Sequence, residues 1–108
     1  MFNFLDAFGK LQQLQDGIKR TREQLDSIVL EGEAGGGMVK VSVNGNRRVL
    51  KIQVDPEILK DKEMTEDLVA AATNKALEKA EQTYRELLSK TTSEYLPNIP
   101  GLDISKML

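Results

Sequence analysis

Residues 38–54 decide the fold, and they read MVKVSVNGNRRVLKIQV. Apolar and polar side chains alternate strictly over 39–43, which places three valines on one face of a half-buried strand. Asn44 and Gly45 then provide residues that tolerate the left-handed backbone of a hairpin turn. Alternation resumes over 47–54. The apolar face of this second strand comprises Leu50, Ile52 and Val54.

Two strands alone are marginally stable, so we expect a short leading strand near 30–34 and an antiparallel three-stranded meander over 30–54. Gly35, Gly36 and Gly37 separate the first two strands. Such a cluster can adopt positive φ or let two backbones approach closely. A phosphate-binding loop would need a following lysine and serine or threonine at Walker spacing, and these are absent. The glycines therefore predict a tight connection between strands.

Residues 1–29 predict a long helical arm. Its apolar seam alternates spacings of three and four, and Thr21 is its only polar member. The seam comprises Phe4, Ala7, Leu11, Leu14, Ile18, Thr21, Leu25 and Ile28. Two interpretations are open: the helix docks on its own domain, or the seam needs a partner. The aromatic content of 5% favours a partner, because the remaining chain has little bulk to cover the seam.

A second long helix is predicted over 61–92. Asp55 and Pro56 form a stop-and-turn signal, and Asp61 offers a helix cap. Apolar positions then repeat about every four residues. Several are alanines, including Ala72, Ala76 and Ala80, and their small side chains would let this helix lie close against a sheet or another helix.

Pro97 and Pro100-Gly101 predict an irregular tail over 96–108, with one possible turn at 102–108. The full prediction is a single α+β domain spanning 1–108, in which a helix, a three-stranded antiparallel sheet, a long second helix and a short tail follow one another.

Composition excludes most enzyme chemistry. The 108 residues include no cysteine and no histidine, which removes thiolate metal sites, the cysteine nucleophile and the usual general base. The adjacent carboxylates Glu66 and Asp67 would point apart on a helix, and no nucleophile has a base beside it. We therefore predict no catalytic residues and no metal site. No secretory signal or membrane-spanning segment is visible, which favours the cytoplasm.

Seventeen acidic and fifteen basic residues give a formal charge of −2, so the overall charge does not indicate a nucleic-acid binder. Residues 38–54, however, carry four basic and no acidic groups. Candidate phosphate contacts in this segment are Lys40, Arg47, Arg48 and Lys51, and on the first helix they are Lys10, Lys19, Arg20 and Arg22. An equally open interpretation makes the last three a solvated helix face paired with Glu23 and Asp26.

Three blocks resemble the YbaB/EbfC family of bacterial nucleoid-associated proteins. They arrive in the family order and spacing, and together with a glutamine-rich first helix they cover essentially the whole chain. The blocks are GEAGGGMVKVSVNG at 32–45, IQVDPE at 52–57 and DKEMTEDLVAAATNKA at 61–76. The stretch 46–48 is shorter than usual for the family and the tail reads differently, which leaves a tail contact with DNA open.

The resemblance implies an intertwined, tweezer-like homodimer that binds double-stranded DNA in the nucleoid and alters its conformation, with effects on gene expression. It also implies no catalysis, cofactor, membrane or small-molecule substrate. The expected dimer interface comprises Leu11, Leu14, Ile18, Val39, Val41, Leu68, Ala72 and Ala76. An alternative function is a coiled-coil module that presents its heptad arm to a protein partner without touching DNA.

Overall fold

The computed structural model describes residues 4–95, so the predicted tail at 96–108 lies outside the described residues. The elements are α1 (Phe4–Ser27), β1 (Val29–Ala34), β2 (Val39–Asn44), β3 (Val49–Val54), a 3-10 helix (Pro56–Lys60) and α2 (Lys62–Tyr95). This order confirms the predicted α+β class with a helix, a three-stranded antiparallel sheet and a long second helix.

Residue contacts divide the chain into two units. The helical unit comprises 4–24 and 85–95 among the described residues, and the sheet unit comprises Leu25–Tyr84. Most of α1 and the C-terminal part of α2 therefore belong to the helical unit, whereas the sheet and the rest of both helices belong to the sheet unit.

The sheet is an antiparallel meander in the order β1-β2-β3. Val41 pairs with Gly32 on one side and with Ile52 on the other, and a register shift follows Ser42. The predicted hairpin and leading strand are confirmed. Helix α1 ends at Ser27 rather than near residue 29, because β1 already begins at Val29.

Helix α2 packs closely against the sheet through small side chains. The core of the sheet unit consists of Ala34, Val39, Val41, Val43, Ile58, Ala72, Ala76 and Ala80. A Cβ atom added to Gly32 of β1 would lie 2.3 Å from the Ala72 carbonyl oxygen and 2.4 Å from the Ala76 nitrogen. This separation leaves no room for any side chain at Gly32, so the predicted close approach of the alanine face is confirmed.

Capping side chains fix the start of α2. The Asp61 carboxylate accepts a hydrogen bond from the Met64 amide at 3.0 Å, as predicted. Asp55, which the sequence marks as a stop, instead caps the separate 3-10 helix by accepting from the Glu57 amide at 2.9 Å. At the other end, the Thr91 hydroxyl bonds back to a carbonyl one turn earlier, and α2 continues beyond the predicted limit of 92.

The glycine cluster between β1 and β2 behaves as predicted. Gly35, Gly36 and Gly37 have φ values of 65°, 65° and 88°, which lie in the left-handed region that glycine adopts without steric cost. They close the tight connection between the two strands, and Met38 then enters β2 by donating its amide proton to the Gly35 carbonyl.

The heptad seam of α1 is covered over only part of its length. In the helical unit, the hydroxyls of Thr21 and Thr91 form a buried hydrogen bond, which satisfies the one polar position of the seam. Toward the start of α1, Phe4 and Leu11 remain 70% and 53% exposed. The seam thus packs within the chain around Thr21, and the need for a partner at its exposed start stays a prediction.

Strand β3 departs from its predicted burial. The sequence places Leu50 and Ile52 on a covered face, yet they are 50% and 47% exposed, and Val49 is 42% exposed. Within residues 4–95, β3 is an edge strand with a neighbouring strand on one side only, and its apolar face is covered in part: Val54 packs against the core, whereas these three side chains stay exposed.

Candidate nucleic-acid interface

The turn between β2 and β3 is held by the side chain of Asn44, which is only 5% exposed. Its Oδ1 atom accepts hydrogen bonds from the amides of Asn46 and Arg48, each at 3.0 Å. The Asn44 carbonyl also accepts from the Arg47 amide at 3.0 Å. A single buried side chain therefore fixes the backbone that carries both arginines.

This turn is anchored to the end of α1 within the sheet unit. The Gly45 amide lies 2.9 Å from the Leu25 carbonyl oxygen and 3.0 Å from that of Ile28, so it donates to a carbonyl in the last turn of α1 and to one just beyond the helix. The Asn46 side-chain amide donates to the Asp26 carboxylate. The turn is thus braced by helix as well as by sheet.

Gly45 has a different role from the predicted one. The left-handed residue of the turn is Arg47, with φ of 67°, and Gly45 has no positive φ. Glycine is required at 45 because a Cβ atom there would lie 2.8 Å from both the carbonyl oxygen and a methyl group of Leu25. The sequence correctly predicts a turn at Asn44-Gly45 but assigns the left-handed backbone to the wrong residues.

The guanidinium of Arg47 lies over the ring of Tyr84, with 4.4 Å between the guanidinium carbon and the ring centroid. This distance is typical of a cation–π contact. Tyr84 is half-buried on α2, while Arg47 and Arg48 are exposed. The turn therefore presents two cations to solvent, and one of them lies over an aromatic ring.

The two lysines of the basic segment lie on the sheet face opposite the core. Lys40 pairs with Gln53 and Lys51 pairs with Ser42, so the two lysines are diagonal neighbours on adjacent strands. The Lys40 ammonium lies 4.0 Å from a Glu33 carboxylate oxygen, and both side chains are about half exposed. Such an exposed pair contributes little to stability and leaves the lysine able to contact an anion.

The four candidate cations of α1 belong to the helical unit. Lys10, Lys19, Arg20 and Arg22 are all exposed. Arg20 and Arg22 also have interaction partners within the structure. Arg20 lines a shallow groove together with Lys90 of α2. The structure thus places the predicted cations in two separate groups of four, one in each unit.

Sequence reasoning missed Tyr84 at this site. The helical pattern places it on an apolar face of the second helix, and nothing in that local pattern connects it with an arginine 37 positions earlier. Only the packing of α2 brings the ring to the turn.

Two features are absent from the described residues. Over residues 4–95, acidic side chains are nowhere grouped in threes that could hold a metal ion. In the same range, neither helix has an apolar stretch long enough to cross a bilayer.

The fold and the site define a class: a small α+β protein whose β2–β3 hairpin carries a braced, cationic turn. The family model of the YbaB/EbfC DNA-binding family matches residues 1–95, and the chain belongs to this family. The family resemblance predicted from the sequence is thereby confirmed.

The alignments with similar proteins cover most of the chain. A nucleoid-associated protein of Chlorobium phaeobacteroides strain BS1 is 50% identical over 96 residues, covering 89% of this chain and 86% of that protein. A nucleoid-associated protein of Bordetella avium is 47% identical over 94 residues, covering 86% of each chain. The crystal structure of an uncharacterized protein, HP0035, from Helicobacter pylori matches with a TM-score of 0.76 and 26% identity, covering 81% of this chain and 94% of that one.

Proposed function

We propose that this protein binds double-stranded DNA in the bacterial nucleoid, as a cytoplasmic protein that organises DNA and influences gene expression. The observation that carries the proposal is the braced turn: Arg47 and Arg48 are exposed in the segment 38–54, which has four basic and no acidic residues. Membership of a DNA-binding family supports it, as do relatives named nucleoid-associated proteins. The same observations favour DNA over the alternative of a protein-interaction module.

Contacts to the phosphate backbone would supply the affinity. Cations that neutralise phosphates release condensed counterions, so binding should weaken steeply as salt rises. The described residues offer no helix with clustered Arg, Asn and Gln at its start for reading the major groove. We therefore expect recognition of the backbone and of DNA shape, with no catalysis, cofactor or small-molecule substrate.

We further propose a homodimer. In the part of the chain that the structure describes, one edge of strand β3 is unpaired, and the strand exposes Val49, Leu50 and Ile52 by 42%, 50% and 47%. An exposed apolar edge strand is a surface that pairs with another chain. A dimer would carry two copies of the turn, and two linked patches bind a duplex more tightly than one because the second contact is intramolecular.

The expected interface residues differ in how far one chain already covers them. Val39, Val41, Ala72 and Ala76 are 0% exposed within a single chain, so they stabilise the subunit itself. The remaining members, Leu11, Leu14, Ile18 and Leu68, are exposed or half-buried. The proposed interface therefore depends on β3 and on these four residues.

A charge-reversal pair tests DNA binding. Titration of a labelled duplex of about two helical turns, roughly 20 base pairs, at low and moderate salt should show binding that weakens at moderate salt. Arg47→Glu with Arg48→Glu should weaken binding at least tenfold and flatten the salt dependence, because each subunit then neutralises two fewer phosphates.

A matched control uses Lys60→Glu with Lys62→Glu, which makes the same change in charge at exposed positions outside the turn. This control should bind nearly as tightly as the natural protein. No duplex binding by the natural protein at low salt, or an equal loss in both double variants, would refute the proposed site. Sedimentation with and without the duplex reports the number of subunits, and a monomer at micromolar concentration would refute the dimer.

A further inference from the structure

We propose that Tyr84 is a positioning residue for DNA binding: its ring holds the Arg47 guanidinium in a fixed orientation for a DNA phosphate. This inference rests on the proposed duplex binding, and it names one phosphate-binding side chain and the residue that pre-organises it.

Arg47 is held both at its backbone and at its guanidinium. Its backbone is fixed by the hydrogen bond from its amide to the Asn44 carbonyl, in a left-handed conformation with φ of 67°. Its guanidinium lies 4.4 Å from the centre of the Tyr84 ring. A non-glycine residue adopts this backbone only where its surroundings require it, and such residues concentrate at functional sites.

The contact with Tyr84 leaves hydrogen-bond donors of the guanidinium available. The guanidinium carbon lies over the ring at 4.4 Å from its centroid, and the five N–H donors of the group point outward from that carbon in one plane. Among the described residues, no carboxylate forms an ion pair with Arg47, in contrast to Lys40 and its neighbour Glu33. These donors match the geometry of a phosphate, which a guanidinium can bind through two parallel hydrogen bonds.

A held arginine binds more tightly than a free one because less side-chain freedom disappears on binding. Arginine has one of the largest rotamer entropies, and immobilising such a side chain weakens binding by roughly two- to tenfold. The ring therefore contributes to affinity without touching DNA. Arg48, on the same turn, provides a comparison because it stacks on no aromatic ring within residues 4–95.

The test compares four variants in the duplex titration: Tyr84→Phe, Tyr84→Leu, Arg47→Gln, and the last two combined. Tyr84→Phe keeps the ring and should bind as the natural protein does. Tyr84→Leu should weaken binding about two- to tenfold with an unchanged salt slope, because the charge remains. Arg47→Gln should weaken binding and lower the slope by about 0.9 for each phosphate that is no longer neutralised.

The combined variant separates positioning from a general structural role. If the ring acts through the arginine, Tyr84→Leu has no further effect once Arg47→Gln is present. Additive losses, or an equal loss in Tyr84→Phe, would overturn the inference. If Tyr84→Leu does not fold, Arg47→Lys replaces it: lysine keeps the charge but lacks the planar group, so the same loss at unchanged slope is expected, and undiminished affinity would overturn the inference.

The two proposals fail in different ways. Absence of duplex binding by the natural protein removes the proposed function, and this inference with it. Normal binding that is unaffected by Arg47→Gln or by Tyr84→Leu leaves the proposed function intact and overturns only the role of Tyr84.

Discussion

Replacement of Gly32 by alanine tests the close packing of α2 on the sheet. The added Cβ atom would lie 2.3 Å from the Ala72 carbonyl oxygen and 2.4 Å from the Ala76 nitrogen. Carbon atoms in comfortable contact stand about 3.5–4.0 Å apart, so the helix and β1 would have to separate by roughly 1 Å. The obstructing atoms belong to helix backbone, and no rotamer change can relieve the overlap.

The expected cost lies at the upper end of the range for overpacking. Insertion of a methyl group into a packed core typically costs about 1–3 kcal/mol, and rigid surroundings raise the cost. The displaced residues include Ala72 and Ala76, both 0% exposed. We expect Gly32→Ala to lower the free energy of unfolding by about 3 kcal/mol, which corresponds to a fall in Tm of about 10 °C or more.

Thermal unfolding followed by far-UV circular dichroism measures this effect, at one fixed protein concentration because the stability of a dimer depends on concentration. Gly9→Ala is the matched control. It makes the same chemical change within helix α1 at a position with nothing within 4 Å of the new atom. Alanine favours the helix there by about 1 kcal/mol, so this control should raise Tm. A Gly32→Ala variant that melts within about 2 °C of the natural protein would refute the close approach of helix and sheet.

Three further changes test other parts of the fold. Thr91→Val should lower the free energy of unfolding in urea by about 1–2 kcal/mol, because it leaves the buried Thr21 hydroxyl without its partner. Adding Thr21→Val should recover part of this loss, and a double variant less stable than the single one would contradict the reasoning. Asp61→Ala should lower stability by about 1 kcal/mol through loss of the α2 cap, whereas Asp67→Ala, at an exposed site inside the same helix, should have a smaller effect on the same melting curve. Ile52→Asp should convert the proposed dimer to monomer in sedimentation, and an unchanged dimer would exclude β3 from the interface.

Helix and strand positions were largely predictable because they depend on neighbouring residues. The alternation of valines around 41, the three glycines at 35–37 and the cap at Asp61 act within a few residues, and the structure contains each where the pattern indicated. The limits of α1 and α2 shifted by only a few residues, since local signals compete at helix ends.

The candidate site was predictable in part. The arginines at 47 and 48 stand out as charges in a segment without acidic residues. The sequence does not show what braces the turn beyond Asn44, because Leu25 and Asp26 of α1 and Tyr84 of α2 are distant from it in the chain. The structural need for glycine at 45 has the same origin: it arises from the approach of Leu25, twenty positions earlier.

The sequence by itself therefore determined the order of elements, the hairpin and the basic character of the turn. Tertiary structure alone decided which residue takes the left-handed backbone, which apolar side chains of β3 stay exposed, and that Tyr84 lies beneath Arg47. The physical reason is the distance along the chain over which each kind of interaction acts. Backbone propensity and side-chain alternation act between residues close in the chain, whereas burial and stacking depend on which surfaces meet after the chain has folded.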